Sequence, residues 1–304
     1  MSGAVRDELS AGTARRISYA EQRKRPVEGP KGCSVSDAVR NELFEQKETD
    51  ISMAEFRIKI AGRVAGVTSR FESTRDYCGR YLTEEAAAFE IAVSPEDVVR
   101  EQALADLEAE EEGLKRRRFS EPFLERAVIQ RKLSERLLTF DTLLFHGSSV
   151  AVDGEGFLFT AACGTGKSTH TRLYREVFGE RAVMVNDDKP FLRLADGGVI
   201  LCGSPWSGKH GLDTNVEVPL KGICILERGG ENTIRPITPE EAAPMLLHQS
   251  GAPLEEELLP HFHELVKRLG ESVPLWKMQC TKDREAARLS YEAMSGKEIK
   301  TQGV

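Results

Sequence analysis

The sequence predicts an α/β fold, with α+β as the alternative class, and three observations lead to this prediction. After residue 140, short apolar runs such as "RAVMVNDD" and "GVILC" alternate with glycine-rich turns, as in a sheet with tight connections. Within this part, "GFLFTAACGTGKSTHTRLYREVF" joins a strand, a glycine-rich loop and a helix without a break. Before residue 140, alternating strand patterns stand next to amphipathic helix patterns.

The composition is that of a globular protein and argues against several classes of function. The chain has 304 residues, 40% of them hydrophobic, which is enough for one large domain or two modest ones. A formal net charge of −7 argues against broad nucleic-acid binding. No apolar run is long enough to cross a bilayer, so we expect no membrane partner. The six cysteines are scattered without a C-x-x-C pair, and a reduced cytoplasmic enzyme fits them best.

Three regions are predicted along the chain. Residues 1–52 are polar with little periodicity, so we expect a disordered tail. Residues 53–139 should form a small N-terminal mixed subdomain with a structural or substrate-presenting role. Residues 140–296 should form the larger sheet domain, which carries the candidates for chemistry.

The small subdomain is predicted to contain half-buried strands and two helices. Apolar and polar residues alternate in "AEFRIKI" and in "FEIAV", as they do in strands that bury one face. Ser94 and Pro95 are typical of a helix start, and that helix should run to about Leu114. A second helix, opened by Ser120, is predicted over Glu121–Leu138.

The segment from Ala161 to Ser168 is similar to the phosphate-binding pattern G-x-x-x-x-G-K-[ST], except that alanine occupies the opening position. Gly164 and Gly166 would let the backbone approach a phosphate, and the following helix would point its N-terminus at the anion. Lys167 would bridge the outer phosphates, and the hydroxyl of Ser168 would ligate Mg²⁺. Alanine can replace the opening glycine if the backbone there has a negative φ.

The candidate contacts of a nucleotide lie in this loop and in the first turn after it. They are Ala162, Cys163, Gly164, Thr165, Gly166, Lys167, Ser168 and Thr169. A glycine-rich turn with an incidental lysine is the alternative interpretation. Because the strand, loop and helix patterns agree, the sequence favours an ATP site.

Two adjacent acids, Asp187 and Asp188, follow the apolar strand "AVMVN". A carboxylate at the tip of a buried strand beside a phosphate loop can contact Mg²⁺ or an attacking hydroxyl. One acid could hold the metal while the other accepts the proton of the hydroxyl. An ordinary strand-to-turn junction would also explain the pair, and the nearby loop favours chemistry.

A third glycine-rich segment, "GSPWSGKHGL", carries Lys209 and His210, which could contact phosphate or substrate. Trp206 in the same segment could form a wall of the site. Arg228 ends another strand pattern and could stabilise negative charge. For each of these residues an ordinary turn position is an equal alternative.

Taken together, these motifs resemble the catalytic domain of the HPr kinase/phosphorylase family, in the phosphoenolpyruvate-carboxykinase-like group of P-loop folds. The similarity rests on "FHGSSVAVDGEGFLFTAACGTGKSTHT" followed by "VMVNDD". The resemblance implies that His146 is an active-site histidine, Lys167 the loop lysine and Ser168 a Mg²⁺ ligand. It also implies that Asp188 is the proton acceptor or donor, with Asp187 as its neighbour. From its place in the acid pair, Asp187 is a candidate catalytic residue and metal ligand.

The glutamate–arginine loop of that family has no match in this sequence, so phosphorylase activity and HPr as the acceptor are not predicted. The predicted function is ATP-dependent, Mg²⁺-assisted phosphoryl transfer to a serine hydroxyl of a protein or peptide. A homo-oligomer is an expectation from the resemblance alone. The alternatives are a nucleotide-binding sensor without turnover and a carboxykinase-like enzyme that acts on a small molecule.

Overall fold

The described residues of the computed structural model are 51–111, 113–162 and 164–299. The predicted disordered tail therefore lies outside the described residues, except for residues 51 and 52. Cys163 of the glycine-rich loop lies outside them as well. The described strands form one sheet of three strands and one sheet of nine, and helices pack on both. The mixed α/β class agrees with the prediction.

The small sheet consists of β1 (Ala54–Ile60), β2 (Arg63–Ser69) and β3 (Phe89–Ala92). β1 and β2 form an antiparallel hairpin, and β3 runs parallel to β2. Ala61 and Gly62 connect the hairpin with φ values of 51° and 72°, as expected for a two-residue turn of type I′. Buried and exposed residues alternate along β1, which confirms the strand that the sequence predicts.

The helices of the small subdomain are α1 (Glu72–Tyr77), α2 (Pro95–Glu111) and α3 (Glu121–Leu138). Ser94 and Asp97 cap the start of α2 reciprocally, because each backbone N–H donates to the other side chain, at 2.9 and 3.2 Å. α2 ends before the predicted Leu114. α3 has the predicted bounds, but the side chain of Ser120 makes no capping hydrogen bond.

The strands of the large sheet alternate with tight turns, as predicted. They are β4 (Thr142–Leu144), β5 (Ser148–Val152), β6 (Glu155–Thr160), β7 (Ala182–Asn186), β8 (Phe191–Ala195), β9 (Gly198–Cys202), β10 (Glu217–Arg228), β11 (Thr233–Pro236) and β12 (Leu275–Cys280). The order is β4-β8-β9-β10-β6-β5-β7, and β12 pairs with the C-terminal half of β10 and with β11. β6 and β7 are both antiparallel to β5, so their C-terminal ends lie at the same edge of the sheet.

Helices cover both faces of this sheet. They are α4 (Lys167–Phe178), α5 (Pro239–Gln249), α6 (Leu259–Ser272) and α7 (Arg284–Ser295). On β6, Phe157 and Phe159 pack against α4 and α7, whereas Leu158 packs in the core formed with α5 and α6. This alternation is the period of two expected of a central strand. Within the described residues, no helix is both long and apolar enough to span a membrane.

The core of the small subdomain continues into the large sheet. Leu144, Phe191 and Cys202 belong to the same apolar cluster as the helix α3 and the strand β1. Trp206 also lies in this cluster, and its Nε1 donates to the carbonyl of Arg126 at 3.0 Å. The sequence-based interpretation of Trp206 as a wall of the site is therefore wrong, because its indole is committed to the shared core.

Candidate phosphate-binding site

The glycine-rich loop and the paired acids meet at one edge of the large sheet. The loop follows β6, the acids follow β7, and β5 lies between these two strands. Because the two C-terminal ends lie at the same edge, side chains from both can reach one site. The structure therefore brings together the two motifs on which the predicted chemistry depends most.

The backbone of the loop agrees with an anion-binding role. Gly164 and Gly166 have φ values of 70° and 118°, which glycine adopts readily and other residues do not. Ala161 has a negative φ and is fully buried among the apolar residues between β6 and α4, so alanine is accommodated at the opening position. No side chain caps the start of α4, which leaves its first N–H groups without a side-chain acceptor.

The carbonyl of Ala161 holds two side chains at the base of the loop. Lys167 Nζ donates to it at 3.4 Å, and Nε2 of the buried Gln249 donates to it at 3.3 Å. The carbonyl of Gln249 in turn accepts a hydrogen bond from the backbone N–H of His146 at 2.7 Å. Gln249 thus joins the loop to the strand segment of His146. Sequence reasoning missed it, since a glutamine at a helix end carries no signal of such a role.

Asp187 lies beside the start of α4. The hydroxyl of Ser148 donates to its carboxylate at 2.6 Å, and the hydroxyl of Ser168 lies near enough to favour the ionised form. Burial raises the pKa of Asp187 above its ordinary value, and these two hydroxyls only partly offset the effect. Asp187 and Ser168 are therefore adjacent oxygen donors at the N-terminus of a helix. Ser148 is a further residue that the sequence did not single out.

Asp188 points to His146 instead. Its Oδ1 lies 3.2 Å from His146 Nε2, and 13% of the Asp188 side chain is exposed. Burial disfavours the ionised carboxylate, but the charges of Lys189 and Lys167 and the hydrogen bond from His146 outweigh it. The pKa of Asp188 is therefore lowered, and the group is ionised at neutral pH. The two adjacent acids thus have opposite pKa shifts.

His146 is neutral at neutral pH. Burial and the charge of Lys189 lower its pKa to about 4, although Asp188 acts in the opposite direction. A neutral imidazole that faces a carboxylate carries its proton on the facing nitrogen, so Nε2–H donates to Asp188. The hydrogen bond therefore fixes both the tautomer of His146 and the direction of the Asp188 carboxylate.

Asn186 shapes the turn that presents the two acids. Its Oδ1 accepts from the backbone N–H groups of Asp188 at 2.8 Å and of Lys189 at 2.6 Å. Its Nδ2 donates to the carbonyl of Ser204 at 2.8 Å. Asn186 is fully buried, so these bonds satisfy a side chain that has no access to water. This turn explains why the chain directs consecutive carboxylates to different partners.

The third glycine-rich segment packs against the same turn. A Cβ atom at Gly208 would lie 3.2 Å from the Cβ of Asp188, so the backbone there approaches the acid closely. Lys209 and His210 follow and are exposed, and His210 is one of the groups that counteract the raised pKa of Asp187. The structure therefore places the segment that carries both predicted residues beside the two acids.

The small subdomain anchors this segment through Asp213. The carboxylate of Asp213 accepts hydrogen bonds from Ser207 at 2.7 Å, from Tyr81 at 3.2 Å and from Arg80 at 3.2 Å. Arg80 and Tyr81 belong to the region in which the sequence indicated no chemistry. Their contribution is to position the segment that contacts Asp188.

Arg228 reaches the loop from the other side. It ends β10, which neighbours β6 on the side away from β5, and its guanidinium donates to the carbonyl of Gly164. The prediction that Arg228 could lie near a bound anion agrees with this position. His170, in contrast, is buried between Phe159 and Tyr174 and contacts Ser290 at 3.0 Å. Its ring is therefore part of the core and does not line the site.

The donor set fits Mg²⁺ with a phosphate better than a metal held by protein alone. Among the described residues, no group of three or more His, Cys, Asp or Glu side chains could hold a metal ion. Ser168 and Asp187 offer hard oxygen atoms next to the glycine-rich loop. Mg²⁺ commonly takes one or two protein oxygens and completes its shell with phosphate oxygens and water.

Comparison with known proteins gives a distant similarity to solved structures. No family model and no curated protein matches the chain. Among solved structures, the chain is similar to the Hpr(Ser) kinase/phosphatase from Coxiella burnetii, with 13% sequence identity and a TM-score of 0.31. The match covers 50% of this chain and 93% of that one. We therefore base the function proposed below on the geometry of the site.

Proposed function

We propose that the protein is an ATP-dependent, Mg²⁺-assisted kinase that transfers a phosphoryl group to a serine hydroxyl of a protein or peptide. The observation that carries the proposal is the adjacency of Ser168 and Asp187, with the ionised Asp188 next in the chain. A phosphate held by the loop would have oxygen donors for a metal on one side and an ionised carboxylate on the other.

The loop residues bind and orient the phosphates. The N–H groups at the start of α4 point at the anion, and Lys167 neutralises the outer phosphates once it leaves the Ala161 carbonyl. Arg228 adds positive charge at the opposite side of the loop. Ser168 and Asp187 would hold Mg²⁺, which neutralises phosphate charge and orients the transferred group when it is bound. Most of the rate enhancement would come from positioning and electrostatics.

Asp188 orients the acceptor hydroxyl and takes its proton. The hydroxyl oxygen forms the new bond to the terminal phosphorus, the bond between that phosphorus and the bridging oxygen breaks, and ADP leaves with the electron pair. His146 keeps the carboxylate in position by donating from Nε2. Because the pKa of Asp188 is lowered, the group is ready to accept this hydrogen bond at neutral pH.

The proposed setting is a cytoplasmic enzyme that acts on a protein or peptide, without a nucleic-acid or membrane partner. A second candidate is a sensor that binds ATP without turnover. The two candidates differ in whether phosphate reaches an acceptor, so one assay separates them.

The test uses the full chain, Mg²⁺ and ATP labelled in the terminal phosphate, with a cell extract and serine-containing peptides as acceptors. We expect label on an acceptor with the wild-type protein and none with Lys167→Met, which should also weaken ATP binding. Lys267→Met is the matched control, because Lys267 is exposed on α6 and pairs with Glu271. Tight ATP binding without transfer would support the sensor, and no ATP binding would reject both candidates.

A further inference from the structure

Lys189 occupies a position at the site that no motif assigned to it. The pairing of β4 with β8 brings Leu144 opposite Phe191. Beyond these strands, Phe145 N–H donates to the Pro190 carbonyl and Gly147 N–H donates to the Asp188 carbonyl, both at 3.0 Å.

The same register therefore continues and places His146 directly opposite Lys189. The backbone of Lys189 is therefore next to both members of the His146–Asp188 pair, since it lies opposite His146 and directly follows Asp188.

The backbone of Lys189 is held firmly. Its N–H donates to Asn186 at 2.6 Å, and its carbonyl accepts from the hydroxyl of Ser204 at 2.6 Å. Its side chain is half-buried, yet among the described residues no carboxylate lies within ion-pair distance of its ammonium group. Lys189 is the strongest charged influence on both Asp188 and His146, which agrees with a position at the site. Lys189 therefore has no close ion pair of its own, and a carboxylate that enters the site would supply one.

The cations of the site fall into two groups. Arg228 and Lys167 lie at the loop, where the phosphates of a nucleotide would bind. Lys189 instead follows Asp188 directly, and the exposed Lys209 follows the Gly208 contact with that acid. The acceptor would come close to these two lysines, because its hydroxyl has to reach Asp188.

We propose that Lys189 binds a negatively charged group of the acceptor, so that the protein selects a serine hydroxyl with a carboxylate close to it. The proposal rests on the proposed kinase function for the identity of the acceptor. Lys189, with Lys209 nearby, would attract an acidic residue or the carboxylate of a chain terminus on the acceptor. It makes Lys189 a residue that determines specificity.

The test measures peptide binding and nucleotide binding separately. Three fluorescent peptides share one central serine and differ only in its two neighbours, which are glutamate, glutamine or lysine. Their affinities for the full-length protein are measured by anisotropy, with and without ADP, and ATP affinity is measured by calorimetry. The variants are Lys189→Met and Lys189→Arg, with Lys267→Met as the control for the loss of a lysine elsewhere.

We expect the glutamate peptide to bind the wild-type protein about fivefold more tightly than the glutamine peptide, with the difference shrinking at high salt. Lys189→Met should abolish this preference, whereas Lys189→Arg and Lys267→Met should keep it. ATP affinity should change less than about twofold in Lys189→Met, because the loop residues and not Lys189 would hold the phosphates.

Equal affinity for the three peptides, including no measurable binding of any, would overturn the assignment of Lys189. Loss of ATP affinity in Lys189→Met with an unchanged peptide preference would also overturn it, because Lys189 would then serve the nucleotide. Failure of the wild-type protein to bind ATP is a different result. It rejects the proposed kinase, while the peptide measurements still decide whether Lys189 selects an anion.

Discussion

Asp188 Oδ1 and His146 Nε2 lie 3.2 Å apart, and this contact joins the end of β7 to the segment between β4 and β5. Neither residue could set this geometry alone. Asn186 shapes the turn of the acid, and the N–H of His146 is held by the carbonyl of Gln249 at 2.7 Å. The pair is therefore organised before any ligand binds, which is the condition for positioning an acceptor hydroxyl efficiently.

Replacing Asp188 by asparagine should separate binding from transfer. The amide keeps the size of the carboxylate but cannot take a proton, so we expect transfer to fall by a factor of about 100 or more. ATP affinity should remain nearly unchanged, because the loop and not Asp188 holds the phosphates. Label transfer and calorimetry measure the two quantities. Asp196→Asn, in the exposed turn between β8 and β9, is the control. Transfer at the wild-type rate would remove Asp188 from the mechanism.

Replacing His146 by phenylalanine should change the pH dependence of transfer. Burial works against the ionised Asp188, and the hydrogen bond from His146 is one of the effects that lower its pKa. Without this bond the pKa of Asp188 should rise, so the loss of activity on acidification should begin at a higher pH. The measurement is kcat/KM against pH for both proteins. An unchanged acid limb would mean that another group controls it.

Substitution at the opening position of the loop should change stability, whereas substitution of Gly166 should change ATP affinity. Ala161→Gly removes a buried methyl group and frees the backbone, so it should lower the free energy of unfolding by about 1–2 kcal/mol without improving ATP affinity.

Gly166→Ala forces alanine to a φ of 118°, which strains the loop by about 1–3 kcal/mol. We expect it to weaken ATP binding about tenfold. Chemical denaturation and calorimetry test both statements. A gain of affinity in Ala161→Gly would contradict them.

His170 should make stability depend on pH. Burial lowers its pKa from 6.5 to about 3, so the folded state keeps it neutral while the unfolded chain takes up a proton below about 6.5. The stabilisation is fully present above pH 6.5 and is lost as the pH falls towards 3, by up to about 1.4 kcal/mol per pH unit. His170→Phe should reduce this slope of the unfolding free energy, as measured by urea denaturation at several pH values. Exposed His263 provides the control, His263→Gln, and equal slopes in all three proteins would refute the prediction.

The local patterns predicted most elements correctly because their signals lie within a few residues. The alternation in β1, the bounds of α3 and the helix that begins at Lys167 and is followed by Gly179 are all confirmed. The same reasoning gave the loop and the acids as candidates, since a strand end with polar residues is visible in the sequence. The roles of these residues in catalysis stay predictions.

Other contributors could not be found in this way because their significance depends on distant neighbours. Gln249, Ser148 and Asp213 are ordinary polar residues in the sequence, and only their partners give them a place near the site. Trp206 was misinterpreted for the same reason. Its neighbours in the sequence are turn residues, but its neighbours in space are the apolar side chains around α3.

The sequence by itself determined the loop, the order of strands and helices along the chain, and the types of residue available for chemistry. These properties follow from backbone preferences and from the periodicity of apolar residues, which act over short distances. Only the tertiary structure decided that Ser168 lies near Asp187, that His146 contacts Asp188, and that the backbone of Lys189 lies opposite that of His146. Strand order and register set these contacts, and both arise from packing between segments far apart in the chain.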